Sequence, residues 1–179
     1  MAEEHCAPIF FAPFVSSPMR IEPGWIDDHG RLPAAYQHVL FGQALEEALF
    51  VVGLGPDHVG ETGASALPTE VLTAHKRDLR LGDQVRVTLQ LIDHDGERLH
   101  LYLEMRHAAE GWTATACEIL AAHADLVTRR TEPFPTSVLR NLAVMKAAHA
   151  RLRRPISGGA LALPRVETRG PILAAGTRH

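Results

Sequence analysis

"RLPAAYQHVLFGQALEEALFVVGLGP", Arg31 to Pro56, decides the architecture. Ala35, Val39, Gly42, Leu45, Leu49 and Val52 recur at helical spacing, while Leu40, Phe41, Ala44 and Ala48 make the adjoining faces apolar too. A helix this apolar belongs in a core. Pro33 suits its first turn, where a missing N–H would be unpaired anyway. At the other end "GLGP" supplies the glycine and then the proline that stop a helix. Gly42 costs ~1 kcal/mol against alanine in a helix interior, so its presence predicts a closely packed neighbour.

Beyond this helix the period changes to two. Val85, Val87, Leu89 and Leu91 alternate with Gln84, Arg86, Thr88 and Gln90, and Leu99, Leu101, Leu103 and Met105 alternate with Arg98, His100, Tyr102 and Glu104. Both read as strands with one apolar face, joined by a hairpin at "HDGE", His94–Glu97. "AAEGW" at Ala108–Trp112 reads as the next turn, leading into the strand "WTATACEILAAHADLVTRR". A further strand, "LPTEVLTAHKRDLRLGDQ", precedes the pair. On the N-terminal side, Pro8, Pro13 and Pro18 mark an irregular arm over 1–18, followed by a first strand near Met19–Ile26.

A one-faced sheet must bury that face, and the only long early helix is apolar nearly all round. The expected fold is therefore α+β, a five-stranded antiparallel sheet wrapped around a long central helix, over 19–132. After "EPFP", Thr136 or Ser137 is placed to cap a second helix running to about Arg154. Its stripe of Val138, Leu142, Met145, His149 and Leu152 is expected to pack on the outside of the sheet or on a partner subunit. The Gly-, Pro- and Ala-rich tail from Pro155 reads as an extended or mobile segment, so 133–179 forms a C-terminal helix and tail.

With 179 residues, 46% hydrophobic and 22% charged, the chain has room for one core. A net charge of −3 and a pI near 6.4 give no general attraction for nucleic acid or anionic lipid. Cys6 and Cys117 are the only cysteines, which excludes a disulfide framework. The opening "MAEEHCAPIFFAPF" lacks the features of a signal peptide, and no run approaches the ~20 apolar residues of a membrane span. The expectation is a cytoplasmic protein without a membrane partner. Eleven histidines are scattered without ligand spacing, so no metal is expected.

The stretch before the helix, "WIDDHG", carries the chemistry. A helix N-terminus presents unpaired N–H groups and a partial positive charge, which can hold a developing oxyanion. Asp27 lies a few residues upstream, where a carboxylate can act as nucleophile or general base toward a carbonyl seated on those groups. Asp and Gly before a helix are also ordinary turn residues, so spacing alone leaves a purely structural role open.

"EPGWIDDHGRLPAAYQHVLF" resembles the Asp-x-x-Gly-His-hydrophobic-Asn pattern opening the central helix of hot-dog-fold acyl-CoA thioesterases of the 4-hydroxybenzoyl-CoA thioesterase type. "RLGDQVRVTLQLIDHDGERLHLYLEMRH", "ATACEILAAHADLVTRRTEPFP" and "LRNLAVMKAAHARL" are similar to the betainyl-CoA thioesterase-like branch found alongside carnitine metabolism. The resemblance covers roughly 19–160 in order. It implies a small acyl-CoA as substrate, coenzyme A entering only as part of it, and no other cofactor. It makes Asp27 the catalytic carboxylate, nucleophile or general base, and Gly30 the motif glycine that lets substrate approach. The oxyanion donor falls on the backbone N–H of Ala34. Two positions depart from the pattern: Arg31 stands for histidine and Pro33 for asparagine, a permanent cation and a residue with no backbone donor.

Arg31 is expected to steer an anionic acyl group or a CoA phosphate, with the aromatic ring of Tyr36 as pocket wall. Glu70 and Glu118 are candidates for orienting water or a cationic acyl group, each weighed against a structural role. Lys76, Arg77, Arg129 and Arg130, near strand ends, are candidates for the CoA phosphates. An open strand edge implies pairing with a second copy, as the family does, giving a homodimer or dimer of dimers with a shared site. Three rivals differ: a non-catalytic acyl-CoA binder would not need Asp27, and an enoyl-CoA hydratase of the same fold would carry a Asp-x-Asn-Pro-x-His-like string that is absent here. An α+β cone fold would place several helices before the sheet, where one is legible.

Overall fold

The computed structural model describes residues 10–153 and 155. The central helix α1 spans Ala34–Val52. Pro33 sits at its N-cap, and Gly53 ends it in the left-handed region at φ 95°, its N–H reaching the Leu49 and Phe50 carbonyls. Leu40, Phe41, Ala44, Leu45, Ala48, Leu49 and Val52 are buried. The close neighbour expected at Gly42 is missing among the described residues, because a Cβ built there meets nothing within 4 Å. The proline that halts α1 also opens a short helix α2, Pro56–Thr62, as its first residue. The sequence reading did not anticipate α2.

Among the described residues the sheet is wholly antiparallel and six-stranded, not five-stranded. The four long strands are β3 (Ala64–His75), β4 (Gln84–His94), β5 (Arg98–His107) and β6 (Thr113–Asp125). The segment read as one strand at 19–26 divides instead. Only Met19–Arg20 pairs, as β2, before Pro23 starts a 3-10 turn through Trp25, and the arm supplies a separate β1 at Phe14–Val15. Both short strands lie against β4, so the order is β1-β4-β5-β6-β3 with β2 beside β1 on β4. Ser16 completes the join. Its N–H donates to the Val87 carbonyl, and the Val87 N–H donates to Ser16 Oγ, both at 2.9 Å.

Register divides the sheet into two faces. Val85, Val87, Leu89 and Leu91 of β4, Leu99 to Met105 at odd positions of β5, and Cys117, Ile119 and Ala121 of β6 form the core with α1. The even positions, among them Thr88, Gln90, His100, Tyr102, Glu104 and Glu118, line the opposite face.

A last helix, α3, spans Thr136–His149 with Pro135 at the N-cap and no side-chain cap, so neither Thr136 nor Ser137 caps it. Its stripe does not lie outside the sheet as expected. Leu142 and Met145 gather with Leu45, Leu49, Leu89 and Leu99 on the α1 side, and the Asn141 side-chain amide donates to the Val52 carbonyl. The inner face of β4 and β5 extends past the end of α1, and α3 covers the remainder. His149, 1% exposed, fixes this helix at two points. Leu91 N–H donates to its Nδ1 at 2.9 Å, which leaves the ring proton on Nε2 to reach the Phe11 carbonyl at 3.0 Å. Cys6, the arm before Phe10, Arg154 and the tail beyond Pro155 lie outside the described residues. No single helix among the described residues is long and apolar enough to cross a membrane.

Candidate active site

The loop between the 3-10 turn and α1 is a tight turn closed by its own first residue. Asp27 N–H donates to the Arg31 carbonyl and Gly30 N–H to the Asp27 carbonyl, each at 2.9 Å. Asp27 Oδ1 accepts the N–H groups of His29 and Arg31, also at 2.9 Å. Gly30 takes φ +75°, the left-handed conformation this turn requires, and the space beside it is open. Leu32 N–H donates to the Leu79 carbonyl, and Arg31 bridges Arg80, which pins the loop to the segment joining β3 and β4.

Asp27 is therefore both a turn residue and an available carboxylate. Oδ1 is occupied, whereas Oδ2 has, among the described residues, only the Arg31 Nε at 3.6 Å. The Arg31 N–H, outweighing partial desolvation, holds the carboxyl below its usual range, helped by the His29 N–H and the Arg31 guanidinium. Arg31 is thus engaged with Asp27 within the chain. His29 and Asp28 are exposed.

At the head of α1, no partner for the Ala34 or Ala35 N–H occurs among the described residues; the first bonds of the helix come from Tyr36 and Gln37 to the Pro33 carbonyl. Tyr36 stacks on Trp25, centroids 5.6 Å apart and planes 13° off parallel, which braces the loop against the first helical turn. Sequence reasoning missed the residue that seats this turn on the sheet. Gln37, 3% exposed, donates to the Leu32 carbonyl at 3.1 Å and accepts the Thr115 hydroxyl at 2.6 Å. A polar residue in an otherwise apolar helix run was the available signal.

The remaining candidates separate. Glu118 lies on the outer face of β6, 3% exposed, with Oε1 2.6 Å from His100 Nε2 and no partner for Oε2 among the described residues. The even place in a period-two strand sets that direction. Glu70 is opposite Leu120, past a bulge at Pro68/Glu70, and is exposed on that same outer side. Neither joins Asp27. Lys76 and Arg77 follow β3 close to the Asp27 loop, but Arg77 lies over the Trp112 ring at 4.2 Å and Lys76 is 3.9 Å from Glu104. Arg129 and Arg130 belong to the far end, where Leu126 N–H meets the Gly63 carbonyl. Lys76 and Arg77 bond Ala114 at one end of β6, and Arg129 and Arg130 bond Asp125 at the other, so the two cation pairs do not form one phosphate cluster within a chain.

Cys117 is buried, and burial pushes its thiol up to about 11, so it is an inert core residue.

A family model described as "Thioesterase-like superfamily" matches residues 21–142. The betainyl-CoA thioesterase of Pseudomonas aeruginosa is 28% identical over 145 residues, covering 80% of this chain and 91% of that protein. The L-carnitine dehydrogenase/betainyl-CoA thioesterase of Rhizobium meliloti is 28% identical over 140 residues, 78% of this chain. The match spans only 28% of the Rhizobium protein's length. Among solved structures, a Staphylococcus aureus protein in complex with CoA aligns with a TM-score of 0.75 at 24% identity, over 85% of this chain and 96% of that one. A 1,4-dihydroxy-2-naphthoyl-CoA thioesterase from Synechocystis aligns with a TM-score of 0.62 at 15% identity, over 79% and 98%.

Proposed function

The chain belongs to the thioesterase-like superfamily and has its hot-dog fold, and from that premise we propose that it hydrolyses a small acyl-CoA thioester. The observation that carries the reading is Asp27, whose Oδ1 is held by two N–H groups while Oδ2 accepts no hydrogen bond among the described residues and faces only the Arg31 guanidinium at 3.6 Å, in a turn leading straight to N–H groups on α1 without a partner among those residues. In this mechanism Oδ2 attacks the thioester carbon, the oxyanion rests on the Ala34 N–H, and the CoA thiolate leaves. Water then cleaves the mixed anhydride and restores Asp27. A carboxyl held below its usual range is ionised near neutral pH, the form needed both for direct attack and for the alternative, general-base activation of water. The reaction calls for no cofactor beyond the CoA carried by the substrate.

The relatives named for betainyl-CoA make that ester the first substrate to try. Arg31 beside Asp27 is a specific observation against a cationic acyl group, since a trimethylammonium would meet a like charge there. A neutral or anionic short acyl group is the second reading.

The active unit is proposed to be a homodimer or a dimer of dimers. Among the described residues the outer edge of β3 is unpaired, with Val71 and Leu72 46% and 40% exposed, and Gly42 on α1 meets no neighbour. A second copy supplies both a strand for that edge and a neighbour for the glycine.

The test is thiol release from betainyl-CoA, a short aliphatic acyl-CoA and an aromatic acyl-CoA, with Asp27→Asn beside wild type. Asparagine keeps the Oδ1 acceptor and removes the charge, so the turn survives. Turnover of one ester should fall about 100-fold or more in the variant with fold and assembly intact. Binding of CoA esters without turnover in either protein would replace the hydrolase with a binder.

A further inference from the structure

The outer face of the sheet carries a cavity of about 560 Å³, within the ~300–1,000 Å³ span of small-molecule sites. It lies on the side away from α1. Thr88 and Gln90 of β4 and Tyr102, Glu104 and Arg106 of β5 form the floor. Pro13 from the arm and Leu152 and Pro155 after α3 form walls. The wall segments are tied together, because His149 holds the Phe11 carbonyl two residues before Pro13 while its own carbonyl accepts the Leu152 N–H.

The charge here reverses that of the molecule. Lys76, Arg106 and Arg153 line the cavity against a single carboxylate, Glu104, so three cations less one anion leave a local charge of +2 in a chain of net −3. Glu104 is paired with Arg106, lies 3.9 Å from Lys76 and accepts the Tyr102 hydroxyl at 3.4 Å. It neutralises one cation and leaves the others for a ligand. Desolvation, followed by the charges of Glu104 and Glu118, pushes the Tyr102 phenol above its usual range and keeps it protonated as a donor. A bare phosphate would leave most of this volume unfilled. The Tyr102 ring, two prolines and Leu152 supply the flat apolar surface a ring system needs.

We propose that this cavity binds a phosphorylated nucleoside, its ring against Tyr102 and the chain-end walls and its phosphates on Arg106, Lys76 and Arg153. The ligand is either a free nucleotide or the nucleotide end of a CoA ester reaching around the sheet margin at Lys76. The chemistry is the same, and the site does not depend on hydrolysis.

ADP titrated calorimetrically into wild type, Arg106→Ala and Gln90→Trp tests the assignment. Gln90 makes no contact with the Asp27 loop, and tryptophan there fills the cavity from the outer face. ADP should bind wild type, bind Arg106→Ala about tenfold more weakly and fail to bind Gln90→Trp, with circular dichroism and melting temperature retained. Inorganic phosphate should bind more weakly than ADP. Equal affinity in the three proteins, or no ADP binding to wild type, overturns the assignment. Free CoA as competitor separates the sources: one-for-one displacement of ADP assigns the cavity to the substrate's own nucleotide, and simultaneous binding assigns it to a separate one. Because the readout is binding, an inert enzyme does not affect the result.

Discussion

Asp27 closes a turn with one oxygen and presents the other, so its structural and chemical roles are separable by substitution. Gly30 is not separable in that way. Its φ of +75° is strained for any other residue, while the open space around it means that no clash accompanies a methyl group. Gly30→Ala should cost about 1–2 kcal/mol in chemical denaturation from backbone strain alone. Turnover should fall with it as the Asp27 carboxylate shifts. His149 gives a pH signature. Burial holds it below its usual value, against a raising effect of the Phe11 carbonyl. The unfolded chain therefore takes up a proton first, near pH ~6.5, and stability present above that pH is lost as pH falls through the folded value. The melting temperature should drop between about pH 7 and pH 5, and His149→Gln should flatten that drop; His58, also held low by desolvation and by His123, contributes with the same sign. Asp27 and Gly30 were legible because the turn they form is local. Gln37 and His149 were not, since their partners Thr115 and Phe11 lie 78 and 138 residues away in the chain.

The long elements were legible for a related reason: α1 and the four long strands each repeat a period often enough to declare themselves, and the glycine and proline signals around α1 are local. Two-residue strands repeat nothing, so β1 and β2 were invisible as a pair. The stripe on α3 was read correctly as apolar, but a stripe does not say what it covers. Its destination depends on how far the sheet's inner face runs beyond α1. Leu142, 1% exposed, lies where α3 meets α1 and the sheet. Leu142→Ala should lower unfolding free energy by about 2–5 kcal/mol in denaturant titration. A loss under 1 kcal/mol would mean that α3 is not part of the core. The inward stripe also explains why Glu118 and Glu70 left the site: once α1 and α3 share one face, even-numbered strand positions face away from both.

For the molecule as a whole, the edge of β3 and the apolar residues beside it are what the described residues leave without a partner. Lysines at both Val71 and Leu72 should turn a dimer into a monomer in light scattering. Turnover should fall roughly tenfold or more if the site is shared across that edge. An assembly indifferent to both charges would place the interface elsewhere. The opposite margin of the sheet has a different history. It is covered by β1 and β2, and the segment leading into them is held at Phe11 by a histidine 138 residues downstream. A chain is made from its N-terminus, so Phe11 leaves the ribosome 138 residues ahead of His149. Until α3 emerges, the arm lacks its anchor and the inner face of β4 and β5 lacks its second cover. A product truncated before residue 136 would therefore carry every residue of the Asp27 loop and still present bare apolar surface to other chains, a matter for chaperones and proteases rather than for chemistry.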